Sequence, residues 1–133
     1  MRYNVYLPPC YQIAQSQHYP VLYLLHGQNA DEGQWLRIGA ASALDRLIAS
    51  GDSVPFIIVM PFDYSFKQPT EYGFEEAFIQ LLIPQIEITY RTLKTASQRA
   101  IGGLSRGGAW AIRTGWNWWK LVWTARPLSI VIS

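Results

Sequence analysis

Two short apolar runs lie in the first half of the chain. Residues 21–25 are Val-Leu-Tyr-Leu-Leu, and residues 56–60 are Phe-Ile-Ile-Val-Met, between Pro55 and Pro61. Runs of this length without polar alternation are typical of strands buried on both faces, as in a parallel sheet covered by helices. We therefore predict two parallel strands at these positions.

Residues 40–50, between the two runs, have the spacing of an amphipathic helix. Gly51 follows them and is a typical residue for a helix C-terminus. The side chains predicted to face the core are Ala43, Leu44, Leu47 and Ile48. Residues 20–61 are thus predicted to form a strand–helix–strand unit with a right-handed crossover.

The remaining chain continues this alternation. A second helical stretch covers residues 74–90, and Pro84 must either kink it or begin a second segment as its first residue. Residues 100–104 are a strand candidate, residues 109–114 a helix candidate, and residues 3–7 an early strand. The apolar positions of the second helical stretch are Phe78, Leu81, Leu82, Ile86 and Tyr90. Alternating strands and helices predict an α/β fold with a mostly parallel sheet.

The composition fits one domain with a substantial core. The chain has 133 residues, of which 50% are hydrophobic and 15% charged, and this excludes a disordered or coiled-coil protein. The single cysteine, Cys10, excludes an internal disulfide framework and a cysteine-built zinc site. No apolar stretch reaches the roughly 18 residues of a membrane span, and the first residues lack a signal-peptide pattern. We expect no membrane partner, and a cytoplasmic location unless an upstream signal is missing.

The net charge of +2 is unevenly distributed. Residues 1–115 hold nine basic and nine acidic side chains, whereas residues 116–133 add Lys120 and Arg126 and no acid. A net charge this small argues against nucleic acid as a partner.

The last eighteen residues also differ in composition. We predict a single partial domain over residues 1–133 with an atypical tail over residues 116–133. In this tail, residues 116–120 are a poor surface for a helix and residues 128–132 can form a strand. Four of the six tryptophans lie there: Trp116, Trp118, Trp119 and Trp123.

The strongest chemical signal is the G-x-S-x-G sequence of residues 103–107, followed by Gly108. It lies between a predicted strand and a predicted helix, which is the context of a nucleophile elbow. In such an elbow a strained turn exposes the serine hydroxyl above the sheet. The alternative is a glycine-rich turn that packs a helix on a strand. We favour Ser105 as the nucleophile of an acyl-transfer reaction, with the backbone N–H of Arg106 as an oxyanion donor.

His26-Gly27-Gln28 ends the first apolar run and supplies a second candidate donor. An acyl-transfer site needs two donors for the oxyanion, and the backbone N–H of Gln28 is the best candidate for the second. His26 precedes Ser105, whereas hydrolases with this elbow have the order Ser, acid, His. We therefore interpret His26 as a packing or loop-orienting imidazole rather than as the catalytic base.

These motifs together resemble an esterase family of α/β-hydrolases. The family includes esterase D-like enzymes, feruloyl and acetyl-xylan esterases and the antigen 85 mycolyltransferases. The resemblance covers about residues 3–115, and its matching segments are residues 3–9, 19–27, 35, 44–51, 58–61, 82–86, 90–91 and 99–108. It implies a three-layer α/β-hydrolase-like fold and a serine esterase acting on a small-molecule or carbohydrate-linked ester, with no metal or cofactor.

Carried over by position, the resemblance implies Ser105 as nucleophile and the N–H groups of Gln28 and Arg106 as the oxyanion hole. Trp35 would lie near the acyl or alcohol side of the cleft, although a core or lid-packing tryptophan is an equal alternative. Asp63, just beyond the second apolar run, is either a substrate contact or a solvated loop carboxylate.

The chain departs from the family pattern after the elbow. No Asp, Glu or His follows Ser105, although the family has its acid and histidine there. A complete domain of this class needs roughly 200 residues or more. We therefore expect a C-terminally truncated domain with impaired esterase activity. The alternative is a non-catalytic fragment, or a subunit that another chain completes. An open sheet edge and the uncharged residues 128–132 also predict a homo-oligomer.

Overall fold

Five strands form one sheet in the part of the chain that the computed structural model describes, which is residues 1–63, 73–121 and 130–132. The strands are β1 (Tyr3–Tyr6), β2 (Val21–Leu25), β3 (Ile57–Pro61), β4 (Arg99–Gly103) and β5 (Ile130–Ile132). Their order across the sheet is β1-β3-β2-β4-β5. β1 runs antiparallel to β3, and the other neighbours are parallel. The predicted, mostly parallel sheet is confirmed.

The strand register aligns the carboxyl ends of the central strands. Tyr23 of β2 lies opposite Val59 of β3 and Ile101 of β4. Leu25, the last residue of β2, pairs with Gly103, the last residue of β4. The loops that leave β2 and β4 therefore begin side by side at one edge of the sheet, which is where ligands bind in open α/β sheets.

The helices follow the strands in the predicted alternation. They are α1 (Gln34–Arg37), α2 (Ala40–Ser50), α3 (Phe74–Ala77), a π-helical turn (Phe78–Leu82), α4 (Ile83–Thr89) and α5 (Arg106–Leu121). Short 3-10 turns occupy Pro9–Tyr11 and Ala96–Gln98. α2 has the predicted bounds and ends at Gly51, whose φ of 79° is left-handed. No helix in these described ranges combines the length and apolarity needed to cross a membrane.

Alternate residues of the central strands face two hydrophobic clusters, one on each side of the sheet. The larger cluster packs the sheet on the helical segment from α3 to α5 and includes Val21, Tyr23, Val59, Ile101, Phe78, Ile86 and Trp110. The smaller cluster packs the other face on α1 and α2 and includes Leu24, Ile58, Met60, Leu44 and Trp35. The fold is therefore three-layered and α/β-hydrolase-like, with β2 and β3 buried on both faces as predicted.

Two predicted core positions are wrong. Leu81 is 67% exposed, because the π-helical turn adds residues to the turn and rotates this side chain away from the sheet. Leu47 is 46% exposed, and Leu44 is the one fully buried residue of α2. Pro84 begins a second segment as predicted, but as the second residue of α4 rather than the first.

The helix after the elbow is longer than predicted. α5 extends from Arg106 to Leu121, so the expectation that residues 116–120 disfavour a helix is wrong. Trp110, Ala111 and Thr114 are buried on one side of α5, as expected for an amphipathic helix. β5 confirms the strand predicted near the C-terminus, while residues 122–129 lie outside the described ranges.

Candidate active site

Ser105 lies in the tight turn between β4 and α5. Its φ is 54°, in the left-handed region that non-glycine residues rarely adopt, and the residue is exposed. Gly107 donates its N–H to the carbonyl of Leu104 at 2.9 Å, and Ala109 donates to the carbonyl of Ser105 at 3.0 Å. α5 thus begins directly after Ser105, and its positive N-terminal end points at the serine. This is the geometry of a nucleophile elbow.

The glycines around Ser105 permit close backbone contact. A Cβ on Gly107 would lie 2.3 Å from the carbonyl oxygen of Leu25, and one on Gly103 would lie 2.3 Å from the carbonyl carbon of Gly107. A side chain at Gly107 would force the elbow away from β2, and one at Gly103 would force the first turn of α5 away from β4. The Gly-x-Ser-x-Gly spacing therefore has a direct steric cause here.

The loop after β2 lies against the elbow. A Cβ placed on Gly27 would be 3.8 Å from Cβ of Ser105. The N–H of Gly27 donates to Oε1 of Gln34 at 2.7 Å, which anchors the loop to α1. Gln28 and Asn29 follow on the exposed side, and Asn29 has a φ of 61°. The structure thus brings Gly27 next to Ser105, with Gln28 one residue further along.

His26 is 5% exposed and both of its ring nitrogens have backbone partners. The N–H of Asp63 donates to Nε2 at 2.9 Å, so Nε2 is the acceptor and the ring proton is on Nδ1. Nδ1 lies 2.7 Å from the carbonyl oxygen of Gly27, to which it donates. The ring also stacks on Phe62. Neither nitrogen is available to take a proton from Ser105, which supports the loop-orienting interpretation of His26.

Asp63 lies beyond the end of β3 with its carboxylate turned inward. Its side chain is 7% exposed, and Oδ2 accepts from Nε of Arg106 at 3.1 Å and from Nε1 of Trp110 at 2.9 Å. The alternative of a solvated loop carboxylate is therefore wrong. The carboxylate compensates the Arg106 guanidinium, whose side chain is 11% exposed.

Trp35 lies on α1 and packs in the smaller hydrophobic cluster. Its indole N–H is buried without a hydrogen-bond partner in the part of the chain that the structure describes. This position supports the packing interpretation of Trp35 rather than a substrate contact.

A surface cavity of about 260 Å³ opens beside the elbow. Residues 26–30 form one wall, and Phe62, Asp63 and Arg106 form the rest. Ser105 adjoins the cavity because Gly27 and Arg106, which flank it, are part of the lining. Among the described residues, no group of three or more His, Cys, Asp or Glu side chains could hold a metal ion. The cavity is therefore bordered by the exposed Ser105, by the backbone of residues 26–30 and by the ring of Phe62.

Two residues of this site were not predicted from the sequence. Phe62 follows the second apolar run directly, and Trp110 lies four residues after Arg106 on α5. The four-residue spacing places Arg106 and Trp110 on one helix face and was the available signal.

Comparison with known proteins identifies relatives of this chain. It is 39% identical over 116 residues to an endo-1,4-beta-xylanase/feruloyl esterase of Xylanibacter ruminicola, covering 79% of this chain and 16% of that protein. A solved ferulic acid esterase superposes with a TM-score of 0.77 and 33% identity over 86% of this chain and 47% of its own. A ferulic acid esterase of Anaeromyces mucronatus, solved in complex with ferulic acid, superposes with a TM-score of 0.69 and 28% identity, covering 85% and 44%.

The chain thus spans a sixth of that curated relative and less than half of the two solved esterases. The Putative esterase family matches residues 1–120, which is most of the chain. By this match and by its fold, the chain belongs to that family of α/β-hydrolase-like carboxylester hydrolases.

Proposed function

We propose that this chain supplies the nucleophile and the oxyanion hole of a serine carboxylester hydrolase. The observation that carries the proposal is Ser105, exposed at a φ of 54° between β4 and α5, with Gly27 of the β2 loop against it. Packing does not account for a serine in this strained turn, because the residue is exposed next to Arg106, which lines the cavity.

The chemistry follows from the groups around Ser105. Oγ of Ser105 bonds to the ester carbonyl carbon, and the N–H groups of Gln28 and Arg106 bind the oxyanion that develops. The tetrahedral intermediate expels the alcohol, which takes up a proton, and water then releases the acid from the acyl-serine. The positive end of the α5 dipole favours the same negative charge.

The base that accepts the Ser105 proton is not one of the two histidines. His26 is engaged at both nitrogens. His18 precedes the amino end of β2, whereas Ser105 lies at the carboxyl end of β4, so the length of the sheet separates them. We propose that the base and its acid come from a segment beyond these 133 residues, in the same protein or in another chain.

The proposed substrate is an ester that joins an aromatic acid to a carbohydrate. The relatives include proteins named as feruloyl or ferulic acid esterases, one of them solved in complex with ferulic acid. In this chain the cavity beside Ser105 combines the ring of Phe62 with the polar groups of Gln28 and Asn29. An aromatic acyl group can lie against the ring while the polar rim faces the sugar.

The second candidate function is a non-catalytic subunit or fragment that another chain completes. It is favoured by the engagement of His26, together with the lack of any Asp, Glu or His after Ser105. The two candidates differ in whether the Ser105 hydroxyl reacts in this chain on its own.

A serine-directed fluorophosphonate and a feruloyl ester of a sugar distinguish them. We expect wild type to be labelled and to hydrolyse the ester slowly, because an oxyanion hole and binding alone leave a rate about 10³–10⁴-fold above water in triad enzymes. Ser105→Ala abolishes the labelling and lowers the hydrolysis rate to the part that needs no nucleophile, while Ser97→Ala, which removes an exposed serine before β4, changes neither signal. Equal rates for wild type and Ser105→Ala exclude nucleophilic catalysis by Ser105 in this chain.

A further inference from the structure

The two ring nitrogens of His26 connect two separate loops. Nε2 accepts the N–H of Asp63, which follows β3, and Nδ1 donates to the carbonyl of Gly27, which follows β2. The backbone N–H of Asp63 can only donate, so it fixes the neutral ring with its proton on Nδ1. The ring is buried and stacks on Phe62 at a centroid distance of 5.6 Å.

The carbonyl that His26 binds belongs to the peptide unit of the oxyanion hole. The oxygen of Gly27 and the N–H of Gln28 lie in one planar group, and no cis peptide occurs in the described residues. In a trans peptide these two bonds point in opposite directions. The oxygen of Gly27 accepts from Nδ1 of His26 at 2.7 Å and from the N–H of Ala30 at 3.2 Å. These bonds, of which the one from His26 is the shorter, aim the N–H of Gln28 away from His26 and polarise it as a donor.

Asp63 extends this arrangement to the second donor. Its carboxylate holds the side chains of Arg106 and Trp110 on the first turns of α5. Arg106 also supplies the other proposed oxyanion N–H. Asp63 thus contacts both parts of the proposed oxyanion hole. It reaches the peptide at Gln28 through His26, and it holds the N-terminus of α5 through Arg106 and Trp110.

We propose that His26 is a positioning residue of the oxyanion hole, acting through its Nδ1–H bond to the carbonyl of Gly27. The inference rests on the proposed function of Ser105 and adds to it a role for a histidine that does not touch the substrate. It requires the donor at Nδ1 specifically, and not only an imidazole that fills the space.

Two amide substitutions distinguish the role of the donor at Nδ1 from that of the acceptor at Nε2. In His26→Asn the amide nitrogen takes the place of Nδ1 and can donate to Gly27, whereas in His26→Gln the amide oxygen takes the place of Nε2 and keeps the bond from Asp63. We expect kcat for an aryl acetate to be about 10- to 100-fold higher in His26→Asn than in His26→Gln, with similar KM. Equal kcat in the two variants, or the reverse order, overturns the proposal.

A spectroscopic readout keeps the inference testable if the variants fold poorly or the chain proves inactive. The ¹⁵N shifts of His26 in the wild-type chain at neutral pH must show a protonated Nδ1 and a bare Nε2, and the opposite tautomer overturns the proposal. Failure of the proposed function shows separately, as a wild-type chain that neither reacts with a fluorophosphonate nor hydrolyses the ester more than Ser105→Ala does.

Discussion

Nε1 of Trp110 donates a hydrogen bond to Oδ2 of Asp63 at 2.9 Å, and this bond ties the second turn of α5 to the end of β3. The same carboxylate oxygen accepts from Nε of Arg106, one turn earlier on the helix. One buried acid thus fixes the direction in which α5 leaves the elbow. The position of Ser105 depends on that direction, because α5 starts at the next residue.

The first prediction concerns this buried pair. Asp63→Ala lowers the free energy of unfolding by about 3 kcal/mol, because the buried Arg106 guanidinium loses its carboxylate. Urea unfolding measures the change. Glu75→Ala is the matched control. Glu75 pairs with Arg113, which lies on α5 like Arg106, but the Arg113 side chain is 41% exposed. We expect the control to cost less than about 1 kcal/mol, and equal losses in both variants would contradict a special role for Asp63.

The role of Asp63 was beyond the reach of sequence analysis. Its place after an apolar run predicted a location at the edge of the sheet, which is correct. Its burial depends on Arg106 and Trp110, which lie more than 40 residues away in the chain. Contacts of that kind are set by packing of α5 on the sheet and leave no local pattern. The sequence therefore leaves both alternatives for Asp63 open.

The central layers were predictable because their signals are local. The apolar runs of β2 and β3 and the glycine after α2 each fix one element within a few residues. The π-helical turn at Phe78–Leu82 was not, since it changes which side chains face the sheet without a distinct composition. A regular helical period consequently placed Leu81 in the core, where the structure has it exposed.

The second prediction tests the contact between the elbow and β2. Gly107→Ala lowers the free energy of unfolding by about 3 kcal/mol, because the new Cβ would meet the carbonyl of Leu25 at 2.3 Å. Gly73→Ala is the matched control at the start of α3, where a Cβ meets no atom of the described residues within 4 Å. Thermal unfolding of the two variants should differ clearly. Two similar melting temperatures would show that β2 and the elbow can separate at little cost.

The third prediction concerns Tyr23, whose hydroxyl is buried without a partner in the described part of the chain. Burial raises the pKa of Tyr23 above the ordinary tyrosine value of about 10. As the pH rises past about 10, Tyr23 therefore ionises in the unfolded chain before it ionises in the folded chain. The free energy of unfolding consequently falls as the pH rises above that value.

Tyr23→Phe removes both effects while keeping the ring against Phe78. At pH 7 the variant should be as stable as wild type or more stable by up to about 1 kcal/mol, because an unpaired buried hydroxyl is lost. Above pH 10 its stability should fall less steeply, by about 1.4 kcal/mol per pH unit for the one group removed. Parallel stability curves from pH 8 to 11 would show that Tyr23 ionises freely in the folded chain.

The fourth prediction is self-association through β5. Among the described strands β5 pairs with β4 alone, and its sequence, Ile-Val-Ile, is uncharged and favours strands. We expect an oligomer at micromolar concentration in light scattering. Val131→Lys should shift it toward monomer, whereas Val54→Lys, on an exposed loop before β3, should not. A monodisperse wild-type monomer would refute the expectation.

The last prediction separates the strain at Ser105 from its chemistry. Ser105→Ala and Ser105→Gly both remove the hydroxyl, so neither should react with a fluorophosphonate. Only glycine adopts a φ of 54° without a steric penalty, and for other residues this penalty is about 1–2 kcal/mol. The advantage of glycine is partly offset because its backbone loses more conformational entropy on folding. Ser105→Gly should therefore be more stable to urea than Ser105→Ala by about 0.5–1 kcal/mol. If alanine is as stable as glycine at this position, the elbow relaxes in solution and Ser105 is not held in a strained turn.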